Sequence, residues 1–194
     1  MFLRGFIESL SESDSVANAR ILGLVLFMYA QDHQGKYPDG KSSTEVFQKL
    51  LNDGYLRGSA EGSGLEALYW PIPGKVKANV GTKILKPENV CWDVTCCIDG
   101  STPHELPAVF LTGYKVTYLA NAKAIPFFHP PRTWSDWWHG REYPPFITVN
   151  YMTNSSLLLR ASPDGTIPNF IPDGFYTPPG TTYRQLTPDG SLPP

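Results

Sequence analysis

The clearest pattern in the chain is a run of apolar residues at helical spacing between about Ser15 and His33. Ile21, Leu22, Leu24, Val25, Leu26, Phe27 and Met28 point in nearly every direction around such a helix, so its middle has no polar face. A helix of this kind needs partners on two sides, and a single sheet covers only one of them. Asp14 or Ser15 is placed to cap its start, Gly35 follows its end, and Tyr37-Pro38 stops it. A second, shorter helix is expected over Thr44 to Asn52. Val46, Leu50 and Leu51 give it one apolar face, Ser42 and Glu45 form a capping box, and Asp53-Gly54 ends it.

After the Gly/Ser-rich stretch from Gly58 to Gly64 the periodicity shifts from helical to two-residue alternation and short apolar runs. Strands are expected at Leu68 to Ile72, Val90 to Val94, Val109 to Leu119, Ile147 to Met152 and Ser156 to Arg160. The last two flank Thr153-Asn154-Ser155 and read as a hairpin. Beyond Ala161 the chain is turn after turn, with Pro-Asp-Gly ending at Gly40, Gly165, Gly174 and Gly190. The expected fold class is α+β, a single domain over 1–194. It comprises a long N-terminal helix (15–33) packed on an antiparallel sheet (65–160) and a turn-rich C-terminal region (161–194).

Composition agrees with this division. Glycine and proline together make 36 of 194 residues, and fifteen of the nineteen prolines lie from Pro103 onward, which favours short strands and loops there. With a net charge of −2 and no dense Lys/Arg run, the chain lacks the electrostatic footprint of a nucleic-acid binder. The longest purely apolar run, Ile21 to Ala30, is ten residues, half of what a membrane span needs. The start does not read as a secretory signal either, because Met1 to Leu10 runs directly into Ser-Glu-Ser-Asp. On these grounds the protein is cytosolic or lacks an N-terminal segment.

Three features carry candidate chemistry. Cys91, Cys96 and Cys97 form C-x4-C-C, which leaves three readings open: a zinc site completed by His104, a disulfide from Cys91 to Cys96 or Cys97, or free thiols. Trp134, Trp137, Trp138, His139 and Tyr143 form an aromatic cluster between Pro130-Pro131 and Pro144-Pro145. It suits either a loop-covered core or a platform for sugar rings or peptides. Asp164, Asp173 and Asp189 sit in successive turns and could offer oxygens to calcium, although no EF-hand spacing gathers them; no other cofactor and no metal site is expected. Cys-His catalysis would draw on the three cysteines with His104, His129 or His139. No Gly-x-Ser-x-Gly, His-Glu-x-x-His or phosphate loop is present, and the expectation is that the protein is not an enzyme.

The stretch from Asn18 through Tyr29-Ala-Gln-Asp-His-Gln-Gly-Lys-Tyr-Pro38 resembles the soluble half of the N-terminal helix in type IV pilin-like proteins and type II secretion pseudopilins of the G type. Trp138-His139-Gly140, followed by Ile147 to Met152 and a tight turn, is similar to that family's histidine-glycine signature before its terminal hairpin, with Thr153-Asn154 where relatives carry Asp-Gly. The resemblance covers the first 55 residues and residues 138–160. It implies a non-enzymatic subunit of a cell-envelope secretion or pilus assembly, on the periplasmic or extracellular side. Its partners would be other pilin-like subunits or secretion-system proteins, met through Ile21, Leu24, Val25 and Met28. Arg4-Gly5-Phe6-Ile7-Glu8 imitates the family's processing site, but Glu8 is only the third residue after it and the polar run Ser9 to Asp14 follows. The likeness is read as coincidence, and membrane attachment only through an anchor absent from this chain is expected. The alternative, from another class, is a carbohydrate- or peptide-binding module built on the Trp134–Trp138 cluster.

Overall fold

The computed structural model describes residues 2–56, 64–127 and 143–190, with side chains from Glu12 onward. Helix α1 spans Phe2–Asp32, α2 spans Ser43–Asn52 and α3 is a single turn, Gly64–Ala67. The strands are β1 (Trp92–Cys96), β2 (Pro107–Leu111), β3 (Tyr114–Lys115), β4 (Ile125–Pro126), β5 (Phe146–Tyr151), β6 (Ser156–Arg160) and β7 (Arg184–Leu186). Five of them form an antiparallel sheet in the order β6-β5-β2-β1-β7, and β3 and β4 pair separately. The architecture is α+β with the long helix laid across the sheet.

Helix α1 is 31 residues, roughly 46 Å of axis, and starts well before the expected Ser15. Ser15 therefore does not cap it. Its hydroxyl donates back to Glu12 O at 2.9 Å, as mid-helix serines do, and shares a 2.8 Å hydrogen bond with Thr148 Oγ1 of β5. Burying both hydroxyls is tolerable because each satisfies the other. The helix closes as the sequence suggests: Gly35, at φ +81°, donates its N–H to Ala30 O at 2.8 Å.

Helix α2 begins one residue earlier than expected. Ser42 caps it in an extended conformation by accepting from Glu45 N, but Glu45 Oε2 accepts from Lys41 N rather than from Ser42, so the box closes one residue upstream. The segment Leu68 to Ile72 is not a strand. Pro71 removes a ladder donor and Pro73 another directly after the segment; Leu68 O accepts a single bond from Cys91 N, and Ile72 N turns back to Trp70 O. The expected Val109 to Leu119 strand splits into β2 and β3 because Gly113 turns at φ +114°. The β5–β6 hairpin is as expected, with Asn154 supplying the left-handed residue at φ +58°. The turn-rich C-terminal region also supplies β7, a sheet strand too short to show a period.

Strands β1, β2 and β5 are buried at every position, so the sheet is covered on both faces. One face takes α1 and α2. The other takes the segments after β3 and after β6, joined by the Ala124↔Ile167 bridge and by the edge-to-face contact of Phe110 with Phe170. The turns that shape this cover are Pro-Asp-Gly units at Gly165 and Gly174, both at positive φ; Gly190 behaves likewise, whereas Gly40 does not.

At Gly23 the helix leaves no room for a side chain against the sheet. A Cβ there would lie 1.8 Å from Asn150 Oδ1 of β5. Gly23→Ala is expected to destabilise the fold by about 1–3 kcal/mol. In urea unfolding, combining it with Asn150→Ala should cost less than the sum of the two single changes. Strict additivity would mean that the contact does not set the helix position.

Candidate functional site

Helix α1 sets two faces apart. Leu22, Val25, Leu26, Tyr29 and Ala30 are buried in the core. Ile21, Leu24, Phe27 and Met28 face away from the sheet, 37%, 44%, 43% and 48% exposed. Val25, expected beside them as a contact residue, is only 8% exposed and belongs to the core. The reason is helical phase: one residue advances 100°, which carries position 25 from the outer stripe to the flank that packs inward. Phe27 takes its place outside. With exposed Ala17, the stripe Ala17, Ile21, Leu24 and Met28 advances by four, three and four residues, the spacing with which helices pack along a common seam.

The end of α1 is held rigidly under this stripe. The His33 ring stacks on Tyr29 at 3.8 Å between centroids and 5° between planes, and its Nδ1 lies 2.8 Å from Tyr29 O. Tyr55 donates its hydroxyl to Asp32 Oδ2 at 2.6 Å, which pushes the phenol's pKa up to about 12. Past the helix, Gly100 N donates to Gly35 O and Lys36 bridges Asp99, fixing the exit onto the turn that follows β1.

Cys91 stands apart from the other two cysteines. Cys91 precedes β1 and Cys96 ends it, so their Cα atoms stand about 16 Å apart along an extended strand, against a disulfide limit near 7 Å. All three thiols are free. Cys91 is buried against Trp70, whose N–H it accepts and whose carbonyl it donates to, and burial pushes its pKa up to about 12. It is a core thiol. His104 is exposed on the loop before β2, and His129 lies outside the described residues. Among the described residues no group of three or more His, Cys, Asp or Glu side chains could hold a metal. Of the calcium candidates, Asp164 Oδ1 accepts from Thr166 N and Asp189 Oδ1 from Thr187 within their own turns, whereas Asp173 Oδ1 accepts from Asn121 on a distant segment.

Trp134, Trp137, Trp138 and His139 lie outside the described residues. Tyr143, the remaining member of that cluster, is half-buried at the edge of a cavity of about 300 Å3 that Lys75, Glu88, Thr112, Phe127 and Asp189 also line.

Behind this cavity sits a charge that sequence reasoning did not single out. Asp93, in the centre of β1, is wholly buried on the sheet face away from α1. Its Oδ2 accepts from Gln185 Nε2 at 2.6 Å; the same amide group donates to Tyr114 O and, through Oε1, accepts from Val116 N. Among the described residues, Asp93 Oδ1 accepts no hydrogen bond of good geometry, although the Thr112 side chain lies near enough to pull on the carboxyl. Burial raises its pKa to about 7, against the pull of Thr112, Gln185 and Lys75; Lys75 in turn is lowered by its own burial, with Nζ donating to Pro87 O at 2.8 Å. The signal available was one acidic residue inside an apolar run. Its role is to clip β3 and β7 to β1 through Gln185.

Compared with known proteins, the chain matches no family model, no curated protein and no solved structure. No helix among the described residues is long and apolar enough to cross a membrane.

A carboxyl whose folded pKa lies above its unfolded value stabilises only while the native state holds the extra proton. Asp93 therefore favours the fold at low pH, and this contribution fades as pH rises from about 4 to about 7. Asp93→Asn should remove that slope. Urea unfolding from about pH 4 to pH 8 should show the wild type losing stability relative to the variant across the window. Parallel pH profiles would refute the assignment.

Proposed function

We propose that this protein is a non-catalytic, pilin-like or pseudopilin-like subunit that assembles through protein contacts, its helix α1 packing along the equivalent helix of a neighbouring subunit. The observation that carries this reading is the outer stripe of α1. Three large apolar side chains, Ile21, Leu24 and Met28, continue from exposed Ala17 at the alternating spacing that another helix fits, with Phe27 exposed beside them. A loop or small ligand would not need that regularity.

Two further features support the family reading. The Tyr29-Ala-Gln-Asp-His-Gln-Gly-Lys-Tyr-Pro38 stretch coincides with the helix exit, where Gly35 takes a positive φ and the chain leaves toward α2. The β5–β6 hairpin lies directly against the same helix, tied to it by Ser15–Thr148 and by the Arg160 to Glu12 ion pair at 2.8 Å. A location on the outer side of a cell envelope, among secretion or pilus components, follows from the same resemblance. Type II secretion is the system whose pseudopilins the helix resembles.

Sedimentation of the purified protein over a range of concentrations tests this. The wild type should self-associate, and Leu24→Glu with Met28→Glu should weaken association by at least about tenfold, since buried anchors dominate such interfaces. Thermal unfolding of the double variant should match the wild type, because both side chains are exposed. A wild type that stays monomeric, with the variant indistinguishable from it, would remove the reading.

A further inference from the structure

At the end of β1 two thiols are in contact. Cys96 Sγ and Cys97 Sγ lie 3.1 Å apart, closer than two unbonded sulfurs of separate residues need to sit. Their surroundings differ. Cys96 is buried, whereas Cys97 is exposed and turned out by a left-handed backbone at φ +64°, rare for a residue with a Cβ. The Arg184 side chain lies beside Cys96, its strand partner on β7, and no third cysteine is near, since Cys91 is at the far end of the strand.

We propose that Cys96 and Cys97 form an oxidative modification site, closing to a vicinal disulfide by exchange with a low-molecular-weight disulfide. The exposed Cys97 thiolate attacks one sulfur of RSSR, forming a Cys97–SR bond and releasing RS−, which takes up the proton Cys97 gave up. Cys96 Sγ, already in contact, then attacks Cys97 Sγ. The Cys96–Cys97 bond forms, the Cys97–SR bond breaks, and the second RS− leaves with the Cys96 proton. Two protein thiols are oxidised to one disulfide while one RSSR is reduced to two RSH. The asymmetry assigns the roles: the outer sulfur meets the oxidant and the inner one resolves the mixed disulfide.

The site has a structural reader. Cys97 opens the turn through Asp99 and Gly100, and that turn holds the exit of α1 through the Lys36↔Asp99 bridge and the Gly100 to Gly35 hydrogen bond. Drawing the sulfurs from contact to bonding distance moves backbone next to the clamp on α1. Contact with Cys96, together with partial burial and nearby negative charge, pushes the Cys97 pKa up to about 11, so exchange is slow at neutral pH and should quicken about tenfold per pH unit below that value.

The test uses the folded wild-type protein with oxidised glutathione, followed by alkylation under denaturing conditions and intact mass measurement. The expected result is a fall in alkylated cysteines from three to one, with no retained glutathione. Cys96→Ser should stop at a glutathione adduct on Cys97, and Cys91→Ser should still close the pair, leaving no thiol to alkylate. Three alkylated thiols, a persistent glutathione adduct on the wild type, or a peptide map joining Cys91 to another cysteine would overturn the proposal.

Discussion

The position of α1 on the sheet depends on the absence of one side chain. At Gly23 the Asn150 carboxamide occupies the space where a Cβ would stand, and this brings the helix axis closer to β5 than any other residue would allow. The same carboxamide donates to Asn154 Oδ1 and Ser156 Oγ, in the turn and first residue of the β5–β6 hairpin. One residue therefore sets the helix height and braces the turn beside it. Ser15–Thr148 and Glu12–Arg160 fix the helix further toward its start, so the long element is held at three levels along β5 and β6. Once the inner face is set in this way, helical phase decides which apolar residues are left outside.

The other face of the sheet works by a different principle. It is covered by irregular chain rather than a helix, and irregular chain brings unpaired backbone groups with it. Gln185 answers part of that demand by bonding Asp93, Tyr114 O and Val116 N at once. Burying a carboxyl at the centre of a strand is costly, and here it purchases the anchoring of β3 and β7. Positive-φ glycines in the Pro-Asp-Gly turns then let the cover fold back in short segments.

Much of this was legible in the residues, and what was not has identifiable physical causes. The middle of α1 was evident because apolar residues surround it, and α2 because Ser42 and its amphipathic face mark it locally. The hairpin was evident from alternation on both sides of Asn154. The early start of α1 was hidden, since Ser9 to Asp14 reads as a polar break and the compensating Ser15–Thr148 bond spans 133 residues. Whether Val25 or Phe27 faced outward depended on the rotation of the helix relative to the sheet, which local spacing does not contain. Leu68 to Ile72 looked like a strand on apolar content, and Pro71 within it with Pro73 directly after it argued otherwise. Asp93 stood out only as an acid among apolar neighbours, and its partners come from residues far along the chain.

Strand β7 links this architecture to the order of synthesis. Residues 184–186 supply the last strand beside β1, and the chain just beyond them holds the start of α2, with Ser43 N donating to Thr187 O and Thr44 Oγ1 to Pro188 O. The start of α2 thus waits for residues made some 140 positions later, and β1 for a strand partner made about 90 positions later. During translation the early helices leave the ribosome with their inner faces unfilled, and completion is a late event of high contact order. A nascent chain of this design gains from having the start of α2 and the free edge of β1 shielded until the C-terminal residues arrive.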